Sequence, residues 1–475
     1  MHRSTYLFLA LCTLLFALRA DSARMNVLFI AIDDMNDWTT LFDKGNPIQT
    51  PNLERLAKRG TFFARGYTNS PACNPSRASI LSGVRPSTSG VYNNSSNWNK
   101  AMPDVTILPQ HFKNHGYRTY ASGKIFHHHS TAFFRYEAFD QYEEFPTSRP
   151  DQPMPQEGNL NGIKQWTRQD GRKGNVSPNF DWGVYPPDED FHIDNRTVDW
   201  AIDKIEKADG PFFIATGIYR PHMPFYAPQK WFDQYPMNSF QPPVIKKDDL
   251  EDLPDPAVTM LRARPFMSTF RAEKARDPKI FDRAVRGYQA ASSFADHSVG
   301  RLLDALDKSG KADNTIIVLW SDHGFHVGEK ENWEKFVLYE KATHIPYIIV
   351  APGFKKDQVS YRPVSLIDLY PTLTELCDLS QLDHLEGESL IPLLKNPEAA
   401  KDPVIITYGK DNHAIRNDRY RYIRYAEGDE ELYDTENDPH EWTNLAKKTG
   451  SRKIMDELGK WIPKSNASPI EAARK

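Results

Sequence analysis

Apolar runs and polar breaks alternate along this chain. Five short runs are almost continuously hydrophobic: Asn26 to Ile32 (NVLFIAI), Tyr117 to Ser122, Pro211 to Gly217 (PFFIATG), Thr315 to Trp320 (TIIVLW) and Ile345 to Val350. A strand with apolar side chains on both faces belongs in a sheet covered by helices on both sides, the usual setting of parallel sheets. The runs stop at polar or turn residues: Asp33-Asp34, Gly123-Lys124, Arg220-Pro221-His222, Ser321-Asp322-His323-Gly324 and Pro352-Gly353. Helical patterns lie between them. Thr50-Pro51 opens one that Gly60 closes, with proline in the first turn and glycine past the last. From Phe281 to Leu306, Phe281, Val285, Tyr288, Ala291, Ala295, Val299, Leu302 and Leu306 keep three-to-four spacing, the mark of an amphipathic helix. This alternation predicts an α/β fold, in which ligands bind at the carboxyl ends of the strands, where the acidic, cationic and histidine clusters fall.

Two regions depart from the alternation. From about Phe145 to Asp190 the chain is rich in Pro, Gly and Asn and reads as an irregular insertion. It carries Lys164, Arg168, Arg172 and Lys173 beside Trp166 and Trp182, a mixture suited to an acidic sugar chain and equally to an ordinary solvated loop. From Val404 to Asp434 the runs VIITY, YRYIRY and ELYD, separated by turn residues, predict a small antiparallel sheet. The domain reading is a signal segment over 1–23, a catalytic domain over 24–370 with the insertion at about 145–190, and a C-terminal subdomain over 371–475.

Composition narrows the classes. With 475 residues, 39% of them hydrophobic, the chain can bury a large core and a second layer. A formal charge of −4 with 26% charged residues gives no footprint for nucleic acid. His2 and Arg3, the apolar stretch Tyr6 to Leu18 and the small-residue stretch Ala20 to Ala23 read as a secretory signal, too short for a membrane span, and no later stretch qualifies. Export is therefore expected, to a periplasm or the exterior, or to a lysosome in a eukaryote. Asn93, Asn94, Asn175, Asn195 and Asn466 head sequons that permit glycosylation. Once Cys12 leaves with the signal, only Cys73 and Cys377 remain, which makes no disulfide framework.

Two features carry chemistry. Asp33-Asp34 and Asp322-His323 are far apart in sequence, yet each ends a strand of one expected sheet. Carboxylates that converge repel unless a cation joins them, so a hard divalent metal fits, although one Asp-Asp after a strand is also a common turn or cap. Cys73 stands just ahead of Pro75-Ser76-Arg77, where proline suits a helical first turn and Ile80-Leu81 can face inward. A group there meets the positive end of a helix dipole, which favours an anion, while a lone cysteine beside a proline turn is also what a buried structural cysteine looks like.

The segment Cys73-Asn74-Pro75-Ser76-Arg77, followed by Leu81-Ser82-Gly83-Val84-Arg85-Pro86, resembles the C-x-P-S-R signature of the type I, formylglycine-dependent sulfatases. The likeness continues through GKIFHHH (Gly123 to His129), YRPHMPF (Tyr219 to Phe225), SDHGFHVGEKENWEKF (Ser321 to Phe336) and ELYDTENDPHEWTNL (Glu431 to Leu445), and is greatest to iduronate-2-sulfatase-like members. It implies an alkaline phosphatase/sulfatase-like fold, a large mixed sheet between helices with a smaller antiparallel sheet behind. It also implies that a formylglycine-generating or equivalent enzyme oxidises Cys73 to an aldehyde, whose hydrated diol attacks a sulfate ester in two easier steps instead of one hard one. The resemblance gives Asp33, Asp34, Asp322 and His323, with an oxygen of residue 73, to Ca²⁺. It gives Arg77 and Lys124 the diol, Asp322 a proton from the attacking hydroxyl, His127 the second hydroxyl, His222 protonation of the leaving alcohol, and Lys335 the sulfate and leaving oxygens. Two positions depart from the pattern. Many sulfatases have Asn where His323 stands, and two residues separate Lys124 from His127 where one is usual, which leaves His128 as the alternative histidine. The function implied is an exported, calcium-dependent sulfuric ester hydrolase acting on sulfated sugars. The competing readings are a phosphodiester or phosphonate ester hydrolase of the same superfamily and a glycan-binding protein with an unoxidised cysteine.

Overall fold

A computed structural model describes residues 24–127, 135–144, 160–161, 166–167, 173–174, 180–263, 274 and 277–472. The signal segment, His128 and most of the 145–190 insertion, including the side chains of its four cations and Trp166, lie outside the described residues.

Eight strands form the main sheet: β1 (Asn26–Asp33), β2 (Thr61–Phe63), β3 (Arg118–Gly123), β4 (Gln141–Glu143), β5 (Phe212–Pro221), β6 (Thr315–Ser321), β7 (Tyr347–Val350) and β8 (Gln358–Ser360). They lie in the order β8-β2-β7-β6-β1-β5-β3-β4. All pairs are parallel except those of β7 with β6 and β2, so β7 alone runs backwards and the sheet is mixed, as the resemblance implied. All five hydrophobic runs supply strands to it, although Ile345 pairs with Gly66 in a separate small sheet.

The sheet is buried on both faces because its strands are apolar on both. In β1, Val27, Phe29 and Ala31 join one core, while Leu28, Ile30 and Ile32 join the other. Each of these side chains except the smaller Ala31, fully buried, contributes roughly 1.5–3 kcal/mol of hydrophobic stabilisation. One face is covered by α1 (Pro51–Ala57), α3 (Ile193–Lys207) and α4 (Lys279–Lys308), the other by α2 (Cys73–Ser82) and α5 (Leu369–Leu376). The spacing read from Phe281 to Leu306 thus found α4 to within two residues at each end. Where β5 and β3 run out together, two glycines are obligatory. A Cβ on Gly123 would stand 2.2 Å from the Gly217 carbonyl oxygen, and one on Gly217 would stand 2.2 Å from that of Lys124. This approach brings Lys124 in beside β1.

The C-terminal sheet has four antiparallel strands, β9 (Val404–Thr407), β10 (His413–Arg416), β11 (Tyr420–Arg424) and β12 (Glu430–Asp434), with α6 (Ser451–Gly459) packed on one side. Its other side packs on the segment from Val337 to Ala342 through Ile406, Ala414, Ile423 and Tyr433. Three of the four strands match the runs in the sequence, and β10 was not among them.

Candidate active site

The two acidic clusters meet because β1 and β6 are parallel neighbours in register, Ile32 opposite Ser321. The Asp322 amide donates to the Ile32 carbonyl at 3.1 Å, so both chains leave the sheet side by side. Asp34 turns into the left-handed region (φ 67°), which Asp tolerates better than most residues. The Tyr288 hydroxyl of α4 donates to its carbonyl oxygen at 2.9 Å, and the Asp34 amide donates to Asp322 Oδ1 at 3.2 Å. Asp33, Asp34 and Asp322 are all fully buried.

Cys73 is the first residue of α2 and is 1% exposed. The N-cap, Ala72, has no side-chain oxygen to accept from the first turn, and Asn94 Oδ1 accepts the Asn74 amide instead at 3.0 Å. Ser76 Oγ donates to the Asp322 carbonyl at 2.6 Å, tying the helix to β6. Arg77, one turn beyond the cysteine, lies on the same side of the helix. It reaches Asp322 Oδ2 at 2.9 Å and Asp33 Oδ1 at 3.3 Å, and donates to the Ile125 carbonyl at 3.2 Å. Lys124 donates to the other Asp33 oxygen. Lys335 spans both Asp34 oxygens at 2.6 and 2.7 Å. Two buried cations, Arg77 and Lys335, and the partly buried Lys124 thus answer three buried carboxylates. Asp33 is held far below the usual carboxylate range, because Lys124, His222 and Arg77 together outweigh the opposing effect of burial. Asp322 is pushed up, chiefly by burial and by Asp33, against Arg77.

Three histidines complete the cluster. His127 hydrogen-bonds the Cys73 side chain, and burial pulls it down to about 4, so it is neutral and can accept a proton at neutral pH. His222 Nδ1 lies 2.6 Å from the Met223 carbonyl and so carries a proton there, leaving Nε2 on the side of Asp34, 3.9 Å away. His323 donates from Nδ1 to the Gly324 carbonyl at 3.0 Å, which turns Nε2 to Cys73 Sγ at 3.2 Å. Burial opposes charge on His323, but Asp322 and Cys73 outweigh it and hold its pKa up to about 9. The Cys73 thiol is lowered well below its ordinary range; burial opposes this, and Lys124, Lys335 and His323 overcome it.

The donor set suits a hard cation. One ligand atom each from Asp33, Cys73, Asp322 and His323 lie within 4.8 Å of one another, and Asp34 forms an adjoining group with Cys73 and His222. Carboxylate oxygens from three chain positions favour a hard cation over softer ions. His323 presents the lone pair a metal needs only after losing a proton, so ion binding and protonation compete there. Every site residue named from the sequence is therefore in one cluster. Sequence reasoning missed Asn94, Ser76 as a link to Asp322, and Asp194. Asp194 is buried in the first turn of α3 and accepts the amides of Tyr219 and Arg220 at 2.6 and 3.0 Å, which aims the end of β5 that carries His222. Ser76 sits inside the C-x-P-S-R signature, a signal that could have been used; Asp194 carries none.

A helix-borne cysteine, set among cations and carboxylates at the carboxyl ends of a mixed α/β sheet, is an arrangement suited to an anionic ester. The sequence profile of the sulfatase family matches residues 25–379, and that of the N-sulphoglucosamine sulphohydrolase C-terminal region matches 328–468. A sulfatase of Formosa agariphila is 38% identical over 452 residues, covering 93% of this chain and 87% of that protein. Human iduronate 2-sulfatase is 30% identical over 399 residues, covering 78% and 68%. The solved phosphonate monoester hydrolase of Silicibacter pomeroyi superposes with a TM-score of 0.76 at 20% identity, covering 92% of this chain and 94% of that one, a likeness of fold. The chain belongs to the sulfatase family.

Proposed function

We propose that this protein is an exported, calcium-dependent sulfatase that hydrolyses sulfate monoesters of sulfated sugars, with Cys73 oxidised to formylglycine as its nucleophile. The observation that carries the proposal is the placing of Cys73 at the buried start of α2, in contact with His127 and His323 and ringed by Asp33, Asp322, Lys124 and Lys335. In this reading residues 24–370, with the insertion at about 145–190, form the catalytic domain and 371–475 a C-terminal subdomain. The sugar comes from relatives such as iduronate 2-sulfatase, and export from the apolar first 23 residues.

Oxidised residue 73 would supply a hydrated aldehyde as the nucleophile toward sulfur. Asp33, Asp34, Asp322 and His323 would hold Ca²⁺, which would supply positive charge to offset that of the sulfate. Lys335 and Lys124 add fixed positive charge that needs no reorganisation as the reaction proceeds. Arg77 holds Asp33 and Asp322 in place, and Asp322, with its raised proton affinity, takes the proton of the attacking hydroxyl. His222 gives a proton from Nε2 to the departing alcohol; its Nδ1 proton is committed to the Met223 carbonyl, and its Nε2 lies on the side of Asp34. His127, neutral by burial, takes the proton of the second hydroxyl so that sulfate leaves.

Mass spectrometry of the peptide containing residue 73, with assay of sulfate released from sulfated mono- and polysaccharides, tests the proposal. Oxidised residue 73 with sulfate release supports it. An unmodified thiol without turnover supports a binding protein, and turnover of phosphonate esters alone supports the other hydrolase reading. His222→Ala is expected to lower kcat about 10²- to 10⁴-fold on alkyl and sugar sulfates. An aryl sulfate with a good leaving group should lose far less, and equal losses on both would remove His222 from the acid role. Exhaustive chelation is expected to lower both rate and Tm, since an ion at about 100 times its Kd stabilises the fold by about 2.7 kcal/mol. A chelated protein unchanged in both properties would rule out the ion.

A further inference from the structure

Lys335 enters the site on a stretch of unusual backbone. Between Gly328 and Phe336 five residues have positive φ: Gly328 (128°), Lys330 (50°), Glu331 (51°), Glu334 (126°) and Phe336 (73°). Four of them carry side chains, and such residues keep this conformation only where their surroundings impose it. At the far end the Phe336 amide donates to the Pro71 carbonyl at 3.0 Å. Between them Trp333 is buried against Phe180, Phe281 and Phe325, and Lys330 ties the stretch to other parts of the chain.

Lys330 is 3% exposed, and long cations are rarely buried so deeply without partners. Its ammonium donates to the Glu441 carbonyl at 2.6 Å, lies 3.4 Å from Asp249 Oδ1, and sits over the rings of Tyr339 and Tyr433 at 4.8 and 5.5 Å. None of these partners belongs to the 328–336 stretch. They are themselves fixed. Glu441 pairs with Arg421 Nε at 2.7 Å and accepts the Glu340 amide at 2.7 Å. The stretch around Asp249 is tied to the same turn, with Lys246 donating to the Trp442 carbonyl at 2.7 Å and the Asn444 amide to Asp252 at 2.7 Å.

We propose that Lys330 is a positioning residue, the pin by which the turn after β12 and the stretch around Asp249 hold Lys335 against Asp34. The inference rests on the reading of Lys335 as a cation of the reaction, and it gives the C-terminal sheet a part in catalysis through Lys330.

The test is a double-mutant cycle with calcium saturating and Tm recorded for each variant. Lys330→Met keeps the length of the side chain and removes the ammonium. It is expected to lower kcat about 10- to 100-fold with KM within about threefold, as misplacement of a catalytic group by about 1 Å does. Lys330→Arg should recover most of the loss. In a Lys335→Ala background, Lys330→Met should lower kcat by less than about threefold, because the group it positions is already gone. A folded Lys330→Met enzyme with wild-type kcat, or the full loss repeated in the Lys335→Ala background, overturns the proposal. If Lys330→Met does not fold, Asp249→Ala takes its place in the cycle under the same criteria. Wild-type turnover by Lys335→Ala would instead refute the reading of Lys335 itself.

Discussion

Cys73→Ala is expected to fold and to lose turnover by about 10⁴-fold or more, the scale seen when a covalent nucleophile is removed. The fold should survive because the substitution removes one buried sulfur and leaves the three carboxylates and three cations around it paired. Cys73→Ser should be nearly as inactive unless the host oxidises serine as well. Circular dichroism and thermal melting establish the fold, and sulfate release establishes the activity. A well-folded Cys73→Ala protein with wild-type turnover would end the mechanism, because no other group in the cluster can take the place of the diol.

Arg77→Ala carries the largest expected cost to stability. The guanidinium reaches Asp322 and Asp33, and all three side chains are 1% exposed or less. A buried pair of this kind contributes little net stability when intact, but removing one partner leaves charge uncompensated, at about 3–5 kcal/mol. The loss should be greatest in chelated protein and smaller with calcium, whose charge can answer the stranded carboxylates. Turnover should fall with or without calcium, because Asp322 loses the contact that orients it. Denaturant melts at the two calcium levels measure the first effect. Equal stability of Arg77→Ala and wild type in chelator would show that the carboxylates do not depend on this arginine.

The parts of the molecule that the sequence made legible share one property: their pattern is local. β1 and β6 show as unbroken apolar runs because each feeds two cores, and α4 shows because its buried positions recur every three to four residues. β10 was hidden because its four residues, His413 to Arg416, are all buried although two are polar, so no alternation marks it. The residues of the cluster were named by motif and by their position after strands. What could not be read was which carboxylate meets which cation. Lys335 pairs with Asp34 and Lys124 with Asp33 only because β5 and β3 bring one lysine alongside β1 while the 328–336 stretch folds back with the other. Asp194 and Lys330 were missed for the same reason, since both act through partners distant in sequence.

The pairing of β1 with β6 also sets an order in time. Arg77 and Asp322 are 245 residues apart, and at synthesis rates of about 5–20 residues per second the helix of Cys73 waits roughly 12–50 s for the strand that completes its surroundings. Until β6 exists, β1 lacks one of its two neighbours, and neither Asp322 nor His323 is there to close over the cysteine. A residue that is 1% exposed in the finished protein is therefore open to other proteins for most of its own chain's synthesis. Burial ends that access, so the proposed oxidation of Cys73 is expected to precede the docking of β6.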